Sequence, residues 1–145
     1  MAVIKWDTPE AITSYLTTQL DGLANATFSA SGVEIDNLTD RYLYINLELV
    51  LAAQAVARSS GAYVEVWMER KLDGTNYEDR ANAAFTQALL ATFQLDAATT
   101  ARRLVLTNVV IPPVPFKLYV RNQTGQAFAS SGNTLKYRRH NESSV

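Results

Sequence analysis

The spacing of apolar residues along the chain changes period once. Near the start, Ile12, Tyr15, Leu16, Leu20 and Leu23 recur at intervals of three and four, the stripe of an amphipathic helix. Thr8 is placed to cap it, Pro9 suits a first helical position, and Glu10 complements the positive end of the helix dipole. The pattern predicts a helix over about residues 9–22, ended by Gly22 or Asn25. The leader before it, residues 1–8 with Ile4 and Trp6, reads as an arm.

From there the period falls to about two residues, as in a strand with one buried face. In "RYLYINLELVL" the residues Leu43, Ile45, Leu47, Leu49 and Leu51 alternate with Tyr42, Tyr44, Asn46 and Glu48. The rhythm returns in "AYVEVWMERK", "ATFQL", "RRLVLTNV", "FKLYVRN" and "TLKYR", and more weakly at Thr27–Ala30 and Val33–Ile35. Turn residues such as Ser59-Ser60-Gly61, Asp73-Gly74, Pro112-Pro113 and Ser131-Gly132-Asn133 separate these runs, with no helical pattern between them. The expected architecture is mainly β: an antiparallel β-sandwich of jelly-roll type with one N-terminal α-helix, forming a single domain over residues 9–145. The polar, alanine-rich stretch Tyr77–Thr86 is expected to be a long surface loop.

Composition narrows the chemistry. With 145 residues the chain is long enough to bury a core, and with no cysteine it uses neither disulfides nor thiolate metal sites. Thirteen basic against fourteen acidic residues provide no global field for nucleic acid or an anionic membrane. The absence of a long apolar run predicts a soluble protein made in the cytoplasm. Asn-X-Ser/Thr triplets begin at Asn25, Asn37, Asn122 and Asn141, and these asparagines read as turn residues rather than glycan acceptors.

Catalytic signals are sparse. His140 is the single histidine, it sits near the end of the chain, and a general base needs a nucleophile and an orienting group beside it. Glu65 and Glu69 share a strand face, but about 13 Å separates such Cα atoms, beyond the roughly 5 to 10 Å of glycosidase carboxylate pairs. No calcium-loop or glycine-rich nucleotide motif is present, so no cofactor or metal and no enzymatic activity is expected.

Two surface features remain. Tyr42, Tyr44, Tyr63, Trp67 and Tyr119 lie opposite the aliphatic positions of their strands. They mark either a second covered face, with the N-terminal helix over it, or an exposed patch suited to a protein interface or a sugar platform built on Tyr63 and Trp67. The basic groups Arg102-Arg103 and Arg138-Arg139-His140 lie at strand ends, where arginine can hold carboxylates of a partner in two-pronged contacts.

The stretch "KLDGTNYEDR", followed by "TTARRLVLTNVVIPPVPFKLYVRNQTGQAFASSGNTLKYRRHNE", resembles small virion structural proteins of tailed bacteriophages. The shared features are a DGTNY turn, a Pro-Pro loop before an F-K-x-x-x-x-N strand, and a terminal S-G-N-T-L strand. The likeness spans roughly Lys71 to Glu142 and touches no catalytic signature. It implies a capsid cement or decoration protein on the virion surface, commonly a jelly-roll trimer, clamping adjacent major capsid protein subunits. On that reading the partner-interface candidates are Ile4, Trp6, Tyr63, Trp67, Arg138, Arg139 and His140, with the arm lying along a neighbouring subunit. The alternative is a carbohydrate-binding jelly-roll module or a tail or head-fibre component.

Overall fold

The computed structural model describes residues 3–78 and 89–144. Its strands are β1 (Ile4–Trp6), β2 (Thr13–Leu16), β3 (Tyr44–Leu51), β4 (Tyr63–Arg70), β5 (Leu89–Gln94), β6 (Arg102–Val110), β7 (Phe116–Gln123), β8 (Thr134–His140) and β9 (Glu142–Ser144). Every pairing is antiparallel. One sheet has the order β2-β8-β3-β6 and a second the order β5-β4-β7, while β1 and β9 form a small ribbon that joins the two ends of the chain.

Alternation explains the core. Ile45, Leu47, Leu49, Leu51 and Leu135 of the first sheet face Val64, Val66, Met68, Phe93, Phe116, Leu118 and Val120 of the second, and all are buried in one cluster. Each of the six strongly alternating runs forms a strand, because one-sided burial needs a two-residue period. The weak runs near 27–35 do not form full ladders. That segment still lies along β7 through the bridges Phe28↔Arg121 and Ile35↔Phe116 and through paired backbone bonds between Ile35 and Phe116. The stretch Tyr77–Thr86 falls largely outside the described residues.

The expected helix over 9–22 is overturned. The segment holds strand β2 and a 3-10 turn at Thr18–Leu20. A bulge between Ser14 and Leu16 turns both Tyr15 and Leu16 inward, and the 3-10 turn then buries Leu20. Together these produce the three- and four-residue spacing of a helix without one. Thr13, Thr17 and Thr18 are poor helix formers, and the backbone of β8 offers the segment a ladder instead. The Tyr15 hydroxyl crosses the sandwich, donating to the Val33 carbonyl at 2.7 Å and accepting from the Leu118 amide at 3.0 Å.

Buried asparagines close the loops. Asn37 donates to the carbonyls of Tyr42 and Pro112, Asn122 to those of Leu23 and Gln126, and Asn133 to that of Ala129 and to Asp21. In the DGTNY stretch, Asp73 Oδ1 accepts from the amides of Thr75 and Asn76, and the Tyr77 hydroxyl bonds Glu34. These asparagines and Asp73 thus hold turns in place.

Candidate functional site

Strand β8 sets the geometry of the outer face of the four-stranded sheet. Leu135, Tyr137 and Arg139 point toward the sandwich interior, and Lys136, Arg138 and His140 point away from it. Across the ladder, His140 pairs with Tyr44, Arg138 with Asn46, and Lys136 with Glu48.

His140 faces outward yet is only 3% exposed, because two aromatic rings enclose it. Tyr44 stacks on it at 5.4 Å with an interplanar angle of 22°, and Trp6 meets it edge-on at 5.3 Å. Its Nε2 lies 3.1 Å from Asn108 Oδ1. A carbonyl oxygen only accepts, so this contact assigns the proton to Nε2. Burial, reinforced by the Arg138 charge and opposed by Glu142, holds the imidazole below its usual range. The ring is therefore a neutral packing element, and among the described residues no nucleophilic hydroxyl bonds to it.

The asparagine beside it is placed by a bulge. Strand β6 sets Thr107 and Asn108 against the single residue Asn46 of β3, and Asn108 takes a φ of 58°, a conformation asparagine tolerates. Its amide donates to Asn46 Oδ1 at 2.8 Å.

A groove of about 340 Å³ runs over this cluster, bounded by Trp6, Asp7, Pro9, Asn108, Arg138 and His140. It adjoins a second hollow of about 280 Å³ at Ile12, Glu48 and Val105. Asn46, Thr107 and Arg138 line both. Another hollow, of about 410 Å³, lies between loops 53–56 and 126–130 and has no charged side chain in its lining. Among the described residues no group of three or more His, Cys, Asp or Glu side chains comes together to hold a metal ion.

The predicted interface residues divide. Ile4 and Trp6 are exposed, Trp6 at 56%, and β1 pairs with β9 of its own chain in the register Ile4↔Ser144 and Trp6↔Glu142. Arg138 is exposed. Trp67 is only 7% exposed, packed with Tyr119 and Phe28 and donating its indole N–H to Glu65 at 3.0 Å, while Tyr63 is half-buried. Trp67 therefore offers no open ring face for a sugar platform with Tyr63. The 27–35 segment brings Phe28 onto that face, a covering expected of the N-terminal helix.

Arg139 and His140 are also corrected as open interface residues. Arg139 is 6% exposed and spends its donors internally on Glu10, Asp40 and the Asp36 carbonyl. Its guanidinium lies 4.7 Å over the Tyr42 ring. Sequence reading missed Asn46 and Asn108. The available signal was Asn108 within the β6 run, since asparagine is one of the few residues other than glycine that tolerate a positive φ.

No protein-family model matches the chain, and no curated protein matches it. Among solved structures, one described as "CBM4 structure and function" is similar at 13% identity and a TM-score of 0.32, over 86% of this chain and 79% of that one. Another, "CryoEM structure of Mud Crab Dicistrovirus", is similar at 11% identity and a TM-score of 0.26, over 95% of this chain and 76% of that one. Likenesses this loose carry no argument about function. Among the described residues no helix is long and apolar enough to cross a membrane.

Proposed function

We propose that the protein is a non-enzymatic structural component of a tailed-phage virion, a cement or decoration protein that bridges adjacent major capsid protein subunits at the capsid surface. One observation carries the adhesive reading. The exposed apolar residues Ile4, Trp6, Ile12, Val105 and Val110 gather on the outer face of one sheet and its terminal ribbon, beside the exposed cation Arg138. Aromatic and arginine side chains on an apolar field are the usual anchors of protein interfaces.

The strand order supports a jelly roll. With the 27–35 segment counted as a strand and the β1–β9 ribbon left out of the count, one layer holds the first, eighth, third and sixth strands in sequence, and the other the second, seventh, fourth and fifth. Such a stiff wedge suits a clamp, and contacts repeated by capsid symmetry add up to strong retention even when each is weak. A trimer is the preferred assembly on the phage resemblance. Placement on a tail or head fibre is the alternative within the same adhesive class.

Mass spectrometry and antibody labelling of purified virions test the proposal. The protein is expected in particles with label spread over the head; label confined to the tail moves it to the fibre alternative, and absence from particles overturns the reading.

A further inference from the structure

The leader does not reach away from the body. The Asp7 amide donates to the Asn141 carbonyl at 2.9 Å and the Glu10 amide to the Arg139 carbonyl at 3.0 Å, so residues 4–16 follow the terminal strand in an irregular ladder. This fixes Trp6 and Ile12 over the outer sheet face, at the two ends of the joined hollows. The leader forms one wall of the joined hollows.

Donors dominate the middle of the joined hollows. Asn46 Oδ1 is engaged by the Asn108 amide, and Asn108 Oδ1 by His140 Nε2. Each side-chain NH2 is then left without a hydrogen-bond partner among the described residues, as is the guanidinium of Arg138. Of the two carboxylates in the lining, Glu48 is neutralised by Lys136 at 3.4 Å and Arg103 at 3.8 Å, which leaves Asp7. Two amide donors beside an unpaired guanidinium match a carboxylate. Exposed apolar surface flanks this centre, with Trp6 on one side and Ile12 and Val105 on the other.

We propose that this groove receives an extended segment of a partner protein, one acidic side chain seated at Arg138 between two apolar side chains seated at Trp6 and at Ile12 with Val105. The inference rests on the adhesive reading and names the partner element that reading leaves open. Along the ladder the lining runs from Glu48, which pairs with Lys136, to His140, four residue steps or about 13 Å at roughly 3.3 Å per residue, so the segment spans four or five residues. In an extended chain, alternate side chains face one way, so an apolar-x-acidic-x-apolar pattern fits.

The test uses the full chain labelled with nitrogen-15 and the peptide acetyl-Leu-Ser-Glu-Ser-Leu-amide. The two tryptophans give separate indole signals, and Trp67, bonded to Glu65, serves as an internal control. The Trp6 signal is expected to shift saturably while that of Trp67 stays in place. Replacing the peptide's glutamate by glutamine, or the protein's Arg138→Gln, is expected to weaken binding about tenfold. No saturable shift, or equal binding by the glutamine peptide, overturns the proposal. A shift with a glucuronate disaccharide and none with the peptide also overturns it, in favour of a saccharide site. Arg138→Gln protein that decorates particles as fully as wild type removes the groove from the account and leaves the adhesive reading standing, whereas absence of wild type from virions sinks that reading whatever the peptide does.

Discussion

Arg139 grips Glu10 in a two-pronged ion pair, with Nε on Oε2 and Nη2 on Oε1, each at 2.8 Å. The same guanidinium reaches Asp40 at 2.8 Å and the Asp36 carbonyl at 2.7 Å. One buried cation thereby ties the leader, the 36–40 turn and the terminal strand together. Arg139→Ala is expected to destabilise the fold by about 2–4 kcal/mol, since it leaves Asp40 and the Asp36 carbonyl without their donor and Glu10 with only the Arg139 backbone amide. Arg139→Lys should recover only part of the loss, because an ammonium cannot reproduce the planar fork. Urea denaturation of the three proteins measures both.

The Tyr15 hydroxyl joins the two layers through Val33 and Leu118. Tyr15→Phe leaves the buried Leu118 amide without its acceptor and is expected to cost about 1–3 kcal/mol. Gly32→Ala attacks the same spot from the other side, since an added Cβ would lie 2.4 Å from Tyr15 Cζ. Overpacking of that kind costs about 1–3 kcal/mol. Thermal melts of the two variants check these values.

His140 makes stability depend on pH in a known direction. Its folded pKa lies below the ordinary 6.5, chiefly through burial, so the unfolded chain binds the proton more readily. The stabilisation is whole above about pH 6.5 and is lost as pH falls through 6.5 toward the folded value. Between pH 7.5 and 5 the melting temperature of wild type should fall further than that of His140→Gln, whose amide can still donate to Asn108. Equal falls would contradict the assignment of a buried neutral ring.

The two ends of the chain are not equivalent. Strand β8 lies between β2 and β3, so truncation at Gly132 removes the middle of a sheet and is expected to give unfolded protein by circular dichroism. Deleting residues 1–8 removes β1 and the Trp6 cover but no strand of either main sheet. That variant should remain folded, with the pKa of His140 measured by NMR moving up toward its ordinary value.

How far the fold was legible follows from what each residue touches. The runs around Leu47, Val66, Leu118 and Leu135 declared themselves because one face of each strand meets the core and the other does not. The bulge at Tyr15 and Leu16 broke that rule locally and imitated a helix. Parity set Trp67 away from the core but left open whether that face is covered or exposed, since nothing in the irregular 27–35 segment announces that Phe28 will lie against it. Arg139 shares the inward parity of Leu135 and Tyr137, but its acids stand 129 and 99 residues away in sequence, where no local pattern can reveal them. Arg138, one residue earlier, has the opposite parity and is exposed.

Adhesion to a protein shell is the central claim, and rebinding measures it most directly. Particles lacking the protein would be mixed with purified wild type, sedimented, and heated while DNA release is followed. The account predicts saturable co-sedimentation at a fixed number of copies per particle and a higher rupture temperature. Protein that stays in the supernatant at every concentration, with rupture unchanged, would contradict it.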